Sequence, residues 1–299
     1  MSYKIITDSS ANLTEDMIEK YDIDIIPLVF RIGEEEFHSY VKGEKTDIKQ
    51  FYDRMRQGEV IKTSLINLGK CQDVFESNLK EGKDILYISF SSALSGTYNA
   101  ALMVAKNLEE DYPERKIYVV DSLAASMGEG LLVYYCAEQK CSGKSIDEVR
   151  DWLIKNRLHL CHWFTVDDLF HLKRGGRISG TAALAGTVLG IKPILHVDDE
   201  GKLVPVSKVR SRKKSLSALV DEMEKTCMDP TEQIIFISHG DCIDDALYVE
   251  KLVRERLNVK DVKINYVDPV IGAHSGPGTI ALFFLGQFNC SYIFSNICC

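Results

Sequence analysis

The sequence predicts an α/β fold with two domains, and three observations support this prediction. Four short apolar runs of strand length each lead through a polar loop into a helical segment, which is typical of parallel-sheet units. Two later runs are separated by an acidic turn, which is typical of an antiparallel hairpin. The chain has 299 residues with 45% hydrophobic side chains, and this size suits two domains.

We expect an N-terminal α/β domain over residues 1–160, with a mostly parallel sheet flanked by helices. Residues 161–286 are expected to form a C-terminal α/β domain with a mixed or antiparallel sheet, because they contain the hairpin. Residues 287–299 form an atypical tail, for which the sequence offers no physical account.

The four parallel-sheet units follow one another along the chain. Their strands are predicted at residues 3–7, 84–90, 116–120 and 264–267. Each strand ends in a loop rich in Asp, Ser or Gly, and residues 272–278 open the last helix, which we expect to reach Leu285. A single loop of this kind more often only caps its helix. Several loops together favour a ligand site instead.

The most informative of these loops follows the strand at residues 84–90. Residues 91–99 are rich in hydroxyl side chains and glycine, and they open an Ala-rich helix. In an open α/β sheet, ligands lie beyond the carboxyl ends of the strands, where free amides and the helix dipole favour negative charge. The loop therefore predicts an anion-binding site, to which Ser95 and Thr97 add hydroxyl donors.

The second half of the chain contains two basic segments. Arg174 and Arg177 flank a glycine pair, and such a loop can hold a carboxylate or phosphate through Arg forks. Surface cations on a turn explain this loop equally well. Beyond the hairpin, five cations between Lys208 and Lys214 enter an amphipathic helix. They indicate either a patch for a partner or for transient contact with a membrane surface, or a solvated helix start.

Composition and motifs exclude several classes of function. A formal net charge of −8 argues against nucleic-acid binding. No C-x-x-C pair occurs and residues 159–162 lack a second ligand pair, so no metal site is expected. Residues 143–145 and 276–281 lack the context of a P-loop and of a dinucleotide fingerprint, so no cofactor is expected. Without a signal-peptide pattern or an apolar run of spanning length, we expect a cytoplasmic protein.

Six strings, taken in order, carry a resemblance over roughly residues 1–286. They are residues 6–10, 62–64, 91–99, 120–122, 172–178 and 272–278. These strings resemble the DegV family of bacterial fatty-acid-binding proteins. The resemblance implies one long-chain fatty acid in an internal apolar tunnel, with its carboxylate at the domain junction. It also implies a separate fatty-acid kinase as partner, which phosphorylates the bound acid to an acyl phosphate, and no catalytic residue in this chain.

The resemblance also implies a set of ligand-binding residues. They are Thr63, Ser64, Ser95, Gly96, Arg174, His274 and Ser275. Thr63 and Ser95 match hydroxyls that hydrogen-bond the carboxylate, with the amide of Gly96 beside them. His274 belongs to the late loop near the head group. Arg174 matches a basic loop that faces the head group and steadies the carboxylate or the developing acyl phosphate.

Two other functions stay open on the sequence. One is an enzyme that acts on a small anionic metabolite, with His274 as general base and Arg174 as anion clamp. The other is a regulatory or nucleic-acid role through residues 208–214, which the acidic net charge and the lack of interleaved aromatic residues disfavour.

Overall fold

The computed structural model describes residues 2–44, 46–179 and 190–286. The strands are β1 (Tyr3–Asp8), β2 (Asp24–Ile26), β3 (Val29–Ile32), β4 (Glu35–His38), β5 (Ile61–Thr63), β6 (Asp84–Ser89), β7 (Ile117–Asp121), β8 (Leu160–Thr165), β9 (Ile191–Val197), β10 (Leu203–Arg210), β11 (Ile234–His239), β12 (Asp261–Tyr266) and β13 (Ile280–Leu285). The α-helices are α1 (Glu15–Tyr21), α2 (Ile48–Arg56), α3 (Leu68–Lys80), α4 (Thr97–Asp111), α5 (Met127–Cys141), α6 (Ile146–Asn156), α7 (Phe170–Arg174), α8 (Arg212–Thr226), α9 (Ile243–Arg256) and α10 (Pro269–Ser275).

The first sheet has the strand order β2-β1-β6-β7, and all of its neighbouring strands run parallel. Every residue of β1 and β6 is buried, as expected for strands that helices cover on both faces. Because the strands are parallel, Asp8, Ser89 and Asp121 end them at one edge. The predicted mostly parallel N-terminal sheet is confirmed.

The second sheet has the strand order β10-β9-β8-β13-β11-β12. Only the β11–β12 pair is parallel, and the remaining pairs are antiparallel. Strands β9 and β10 form the predicted hairpin, whose acidic turn is closed by the amide of Gly201 donating to the carbonyl of Asp198. The predicted mixed sheet of the C-terminal part is therefore confirmed.

A third, antiparallel sheet of order β4-β3-β5 was not predicted. Its strands have only three or four residues, which is below the usual length from which a strand is recognised in a sequence. Gly33 turns β3 into β4 with a φ of 62°, a backbone conformation that glycine adopts without strain. This small sheet matters for the site because Thr63 ends β5.

The expected last helix is wrong. Residues 269–275 form the short helix α10, and residues 280–285 form the strand β13 in the middle of the second sheet. Gly276 and Gly278, with φ of 84° and 78°, turn the chain between them. A run of six buried apolar residues is compatible with a strand or a helix. Here the run forms a strand because it pairs with β8 and β11 on either side.

Helix α5 lies between the two larger sheets. It packs against β1 and β6 on one side and against β8, β11 and β13 on the other. One apolar core therefore contains Ile5 and Leu86 of the first sheet, Leu132 of α5, and Phe164 and Phe236 of the second sheet. This shared core joins the two halves of the chain.

Three expectations about the chain as a whole are not tested by this architecture. The division into domains at residues 160 and 161 stays a prediction, as does the cytoplasmic location. The tail at residues 287–299 lies outside the described residues. Among the helices in the described ranges, none combines the length and the apolar composition needed to span a bilayer.

Candidate functional site

A cavity of about 220 Å³ lies between the loops of the first sheet and the inner face of the second. A single buried water needs only about 10–15 Å³ by a comparable measure, so this cavity has room for an organic ligand. Its wall is mainly apolar and draws on both halves of the chain. Representative residues are Phe90, Phe164, Leu172, Val197, Val270 and Phe283.

Hydroxyl groups and an imidazole meet at one end of this cavity. The Oγ1 of Thr63 lies 2.8 Å from Nε2 of His274, although the two residues are 211 positions apart. The Oγ of Ser95 lies 2.9 Å from Oγ1 of Thr97 and accepts a hydrogen bond from the Thr97 amide. The Oγ of Ser275 is buried and has no hydrogen-bond partner among the described residues. We call Thr63, Ser95, His274 and Ser275 the polar cluster.

The local folds explain how the polar cluster is held. Pairing of β5 with β3 fixes Thr63, and the amide of Ser64 continues this pairing by donating to the carbonyl of Val29. Gly96 precedes α4 and lines the cavity, so the positive end of this helix lies beside the cavity. Six of the seven expected ligand residues, all except Arg174, line the cavity.

Arg174 is exposed and lies outside the cavity wall. Its Nη2 is 3.2 Å from Nδ1 of His171, and its guanidinium lies 5.8 Å from the ring centre of Phe170. Its role at the head group stays a prediction. Arg177, from the same basic loop, does line the cavity, and its Nε donates to the carbonyl of Leu94 at 3.1 Å. The sequence showed both arginines but not which of them faces inward.

The imidazole of His274 is neutral at physiological pH. Burial, together with the positive charges of Arg177 and Arg174, lowers the pKa of His274 to about 4. A general base works best when its pKa lies near the working pH, so this environment disfavours the alternative in which His274 is a catalytic base. A neutral ring that contacts Thr63 suits a positioning or hydrogen-bonding role instead.

Gly175 brings the basic loop against this histidine. A Cβ at position 175 would lie 2.2 Å from Nδ1 of His274, so only glycine permits the close approach. The positive charges of the loop are thereby held beside the polar cluster. A bound anion at this end of the cavity would be attracted by Arg177 and Arg174 and would find hydroxyl donors at Thr63 and Ser95.

The loop after β1 does not line the cavity. The carboxylate of Asp8 accepts hydrogen bonds from the amides of Ser10 and Phe90, and Ser10 also donates to Glu129. Burial raises the pKa of Asp8 and raises that of Glu129 well above its usual value. These groups form a buried structural network behind the cavity. Of the four expected ligand loops, this one is therefore a structural loop.

The cationic segment 208–214 lies at the end of the edge strand β10 and the start of α8. Arg212 is bound within the protein, because its Nε donates to Asp245 at 2.8 Å and its Nη2 donates to the carbonyl of Gly278 at 2.6 Å. Lys208, Lys213 and Lys214 are exposed. Contact of this segment with a membrane surface stays a prediction. In the part of the chain that the structure describes, no group of three or more His, Cys, Asp or Glu is placed to hold a metal ion.

Fold and cavity together define a class of α/β proteins in which two sheets enclose an apolar chamber with a polar end. The family model described as "Uncharacterised protein, DegV family" matches residues 2–287. The chain therefore belongs to the DegV family, and the resemblance noted in the sequence is confirmed.

Relatives and solved structures agree with this assignment. A DegV domain-containing protein of Clostridium perfringens is 48% identical over 285 residues, which cover 95% of this chain and 98% of the relative. A DegV lipid-binding protein from Thermotoga maritima has a TM-score of 0.85 at 30% identity, covering 97% and 100% of the two chains. A DegV family protein from Thermus thermophilus, described by its fatty-acid binding, has a TM-score of 0.86 at 26% identity, covering 96% and 100%.

We predict that His274 titrates with a midpoint of about 4 in the ligand-free protein. In the unfolded chain, His274 has an ordinary pKa near 6.5. Between about pH 4 and pH 6.5, the unfolded state therefore binds a proton at His274 and the folded state does not. The contribution of His274 to the free energy of unfolding therefore falls as the pH drops from about 6.5 towards 4. The measurement is a pH series of histidine NMR spectra, with the resonance assigned by its loss in His274→Gln. A midpoint near 6.5 would contradict the buried environment.

Proposed function

We propose that this protein binds one long-chain fatty acid, with the alkyl chain in the apolar cavity and the carboxylate at the polar cluster. The observation that carries the proposal is the cavity itself, whose apolar wall ends at Thr63, Ser95 and His274 beside Arg177. The fatty-acid and lipid binding of the structural neighbours supports it.

The alkyl chain would provide most of the affinity. Burial of a chain of about 16 carbons at ~0.8 kcal/mol per methylene contributes on the order of 10 kcal/mol. Association itself costs several kcal/mol in lost translational and rotational freedom. Burial of the chain exceeds this cost, and the apolar wall provides the environment that burial requires.

The polar cluster would provide the chemical selectivity for an acid. A carboxylate that leaves water loses several kcal/mol of hydration unless charge-assisted hydrogen bonds replace it. Thr63 and Ser95 offer hydroxyl donors, Gly96 an amide at the start of α4, and Arg177 a positive charge. An uncharged ester or alcohol of the same length would gain much less from this environment.

The second part of the proposal is that the bound acid is presented to a separate fatty-acid kinase. Leu65 and Gly96 both line the cavity and are exposed, so the polar end opens to solvent beside them. A carboxylate held there is within reach of a nucleotide on a partner. The carboxylate oxygen would attack the terminal phosphoryl group, and the products would be an acyl phosphate and a nucleoside diphosphate. Arg174 is exposed and its charge influences His274, so it would stabilise the developing phosphate charge.

We predict that Thr63→Val and Ser95→Ala each weaken fatty-acid binding about tenfold, because a hydrogen bond to a charged group contributes roughly 1.5 kcal/mol or more. The measurement is calorimetric titration of the delipidated protein with a saturated long-chain acid. Ser92→Ala is the matched control, since Ser92 is an exposed hydroxyl of the same turn that does not line the cavity. Unchanged affinity in both cavity variants would refute the carboxylate site.

We predict that Arg174→Ala lowers the rate of acyl-phosphate formation by the partner kinase at least tenfold, while fatty-acid affinity changes less than threefold. The reason is that Arg174 is exposed and lies outside the cavity wall, so it is placed to act mainly on the phosphate. Phosphoryl transfer is followed with ATP and the fatty-acid kinase of the source organism. Lys173→Ala, the removal of a neighbouring exposed cation, is the control. Equal losses in binding and in transfer would assign Arg174 to the binding site instead.

A further inference from the structure

His162 is a polar residue built into the apolar wall of the cavity. It lies on β8, lines the cavity, and pairs across the sheet with Phe283 of β13. Its ring stands perpendicular to that of Phe283, with 5.6 Å between the ring centres. Only 3% of the residue is exposed. Neither Nδ1 nor Nε2 has a hydrogen-bond partner among the described residues.

The imidazole is electrically neutral. Burial, followed by the influence of His196, lowers the pKa of His162 to about 3. A neutral imidazole carries one hydrogen-bond donor and one acceptor. Buried groups of this kind are nearly always satisfied in folded proteins, because an unpaired donor or acceptor is unfavourable. A phenylalanine would fill the same space without this penalty. The presence of histidine therefore indicates that a ligand group forms a hydrogen bond with it.

The neighbouring helix is shaped to admit this ring. A Cβ at Gly128, in the first turn of α5, would lie 2.5 Å from Cδ2 and 2.6 Å from Nε2 of His162. Glycine within a helix is unfavourable relative to alanine, yet here it allows the imidazole to occupy its place in the wall. The ring is therefore held in a defined position rather than in a loose gap.

His162 lies far from the polar cluster along the second sheet. Thr279 lies next to the polar cluster, because its hydroxyl donates to the carbonyl of Ser275 at 3.1 Å. Phe283, the partner of His162, is four residues further along the same chain. At about 3.3 Å per strand residue, Thr279 and Phe283 are roughly 13 Å apart along the strand. An acyl chain with its carboxylate at the polar cluster would pass His162 well away from its head group.

We propose that His162 determines specificity for the acyl chain, and that it binds a hydroxyl group carried in the middle of that chain. The preferred ligand class is then a hydroxylated long-chain fatty acid rather than a plain saturated one. A hydroxyl can donate to or accept from one ring nitrogen, so it can pair with whichever nitrogen of the neutral imidazole it meets. A second carboxylate is a poor match, since neither lysine nor arginine is among the groups that influence the ring. This inference rests on the proposed function.

The test compares stearic acid with a positional series of monohydroxystearic acids, titrated into the delipidated full-length protein. We expect one positional isomer to bind about tenfold more tightly than stearic acid. The difference in affinity stays this modest because, when stearic acid is bound, a water molecule in the cavity can form part of the hydrogen bonding that His162 would otherwise lack. In His162→Phe, the preference should disappear, so that the ratio of the affinities for that isomer and for stearic acid falls to about one.

His162→Gln is the conservative variant, and it should retain part of the preference because its amide also donates and accepts. His196→Phe is the control, since His196 is buried behind the wall, contacts the carbonyl of His162 through Nδ1 and does not line the cavity. It should leave the preference in place.

The outcomes separate this inference from the proposed function. If stearic acid and the hydroxylated isomers all fail to bind, the proposed function is wrong. If stearic acid binds and no isomer is preferred, His162 is satisfied by water and only this inference is overturned. The same conclusion follows if His162→Phe keeps the preference. Should His162→Phe fail to fold, His162→Gln carries the test, because a weakened preference in this variant is expected and an unchanged one would overturn the inference.

Discussion

Helix α5 packs against both larger sheets at once, and the cavity depends on how closely it can do so. A Cβ at Gly130 would lie 2.4 Å from the carbonyl oxygen of Ala11, and one at Gly128 would collide with His162 and Phe283. Glycine within a helix costs roughly 1 kcal/mol relative to alanine. At these two positions, that cost is offset by packing on both sides of the helix. The start of α5 thereby reaches the cavity, where Ser126, the residue before the helix, contributes to the wall.

The consequence of this arrangement is that the apolar and polar tasks are divided between different parts of the chain. The second sheet and the shared core provide about half of the apolar wall. The loops after β5 and β6 and the helix α10 bring hydroxyls and an imidazole to one end. Burial keeps His274 neutral, while Arg177 and Arg174 provide the positive charge. Such a division is what binding of an amphipathic anion requires, since each part of the ligand meets its own environment.

Much of the fold could be predicted because many of its strands correspond to short, local patterns in the sequence. Strands β1, β6 and β7 are short apolar runs followed by polar turns, and they were identified from that pattern alone. Strand β13 cannot be distinguished from a helix in the sequence, because six consecutive apolar residues show neither the alternation of a strand nor the roughly 3.6-residue period of a helix. The small sheet was missed because its strands are too short to stand out.

The candidate site could be predicted only in part. Ser95 was identified from its loop, whereas its proximity to Thr63 and His274 came from the family resemblance and not from spacing. The contact between Thr63 and His274 joins residues 211 positions apart, which no local pattern reveals. His162 was seen only as part of a weak metal motif, because its unpaired nitrogens become visible only when its surroundings are known.

The proposed function requires that this protein carries a fatty acid in its cavity. The most direct measurement is to denature the purified protein, extract it with organic solvent and identify the extracted molecules by mass spectrometry. We expect about one long-chain fatty acid per protein chain, taken up from the expression host. An extract without lipid, or one that contains a small anionic metabolite in stoichiometric amount, would contradict the proposed function.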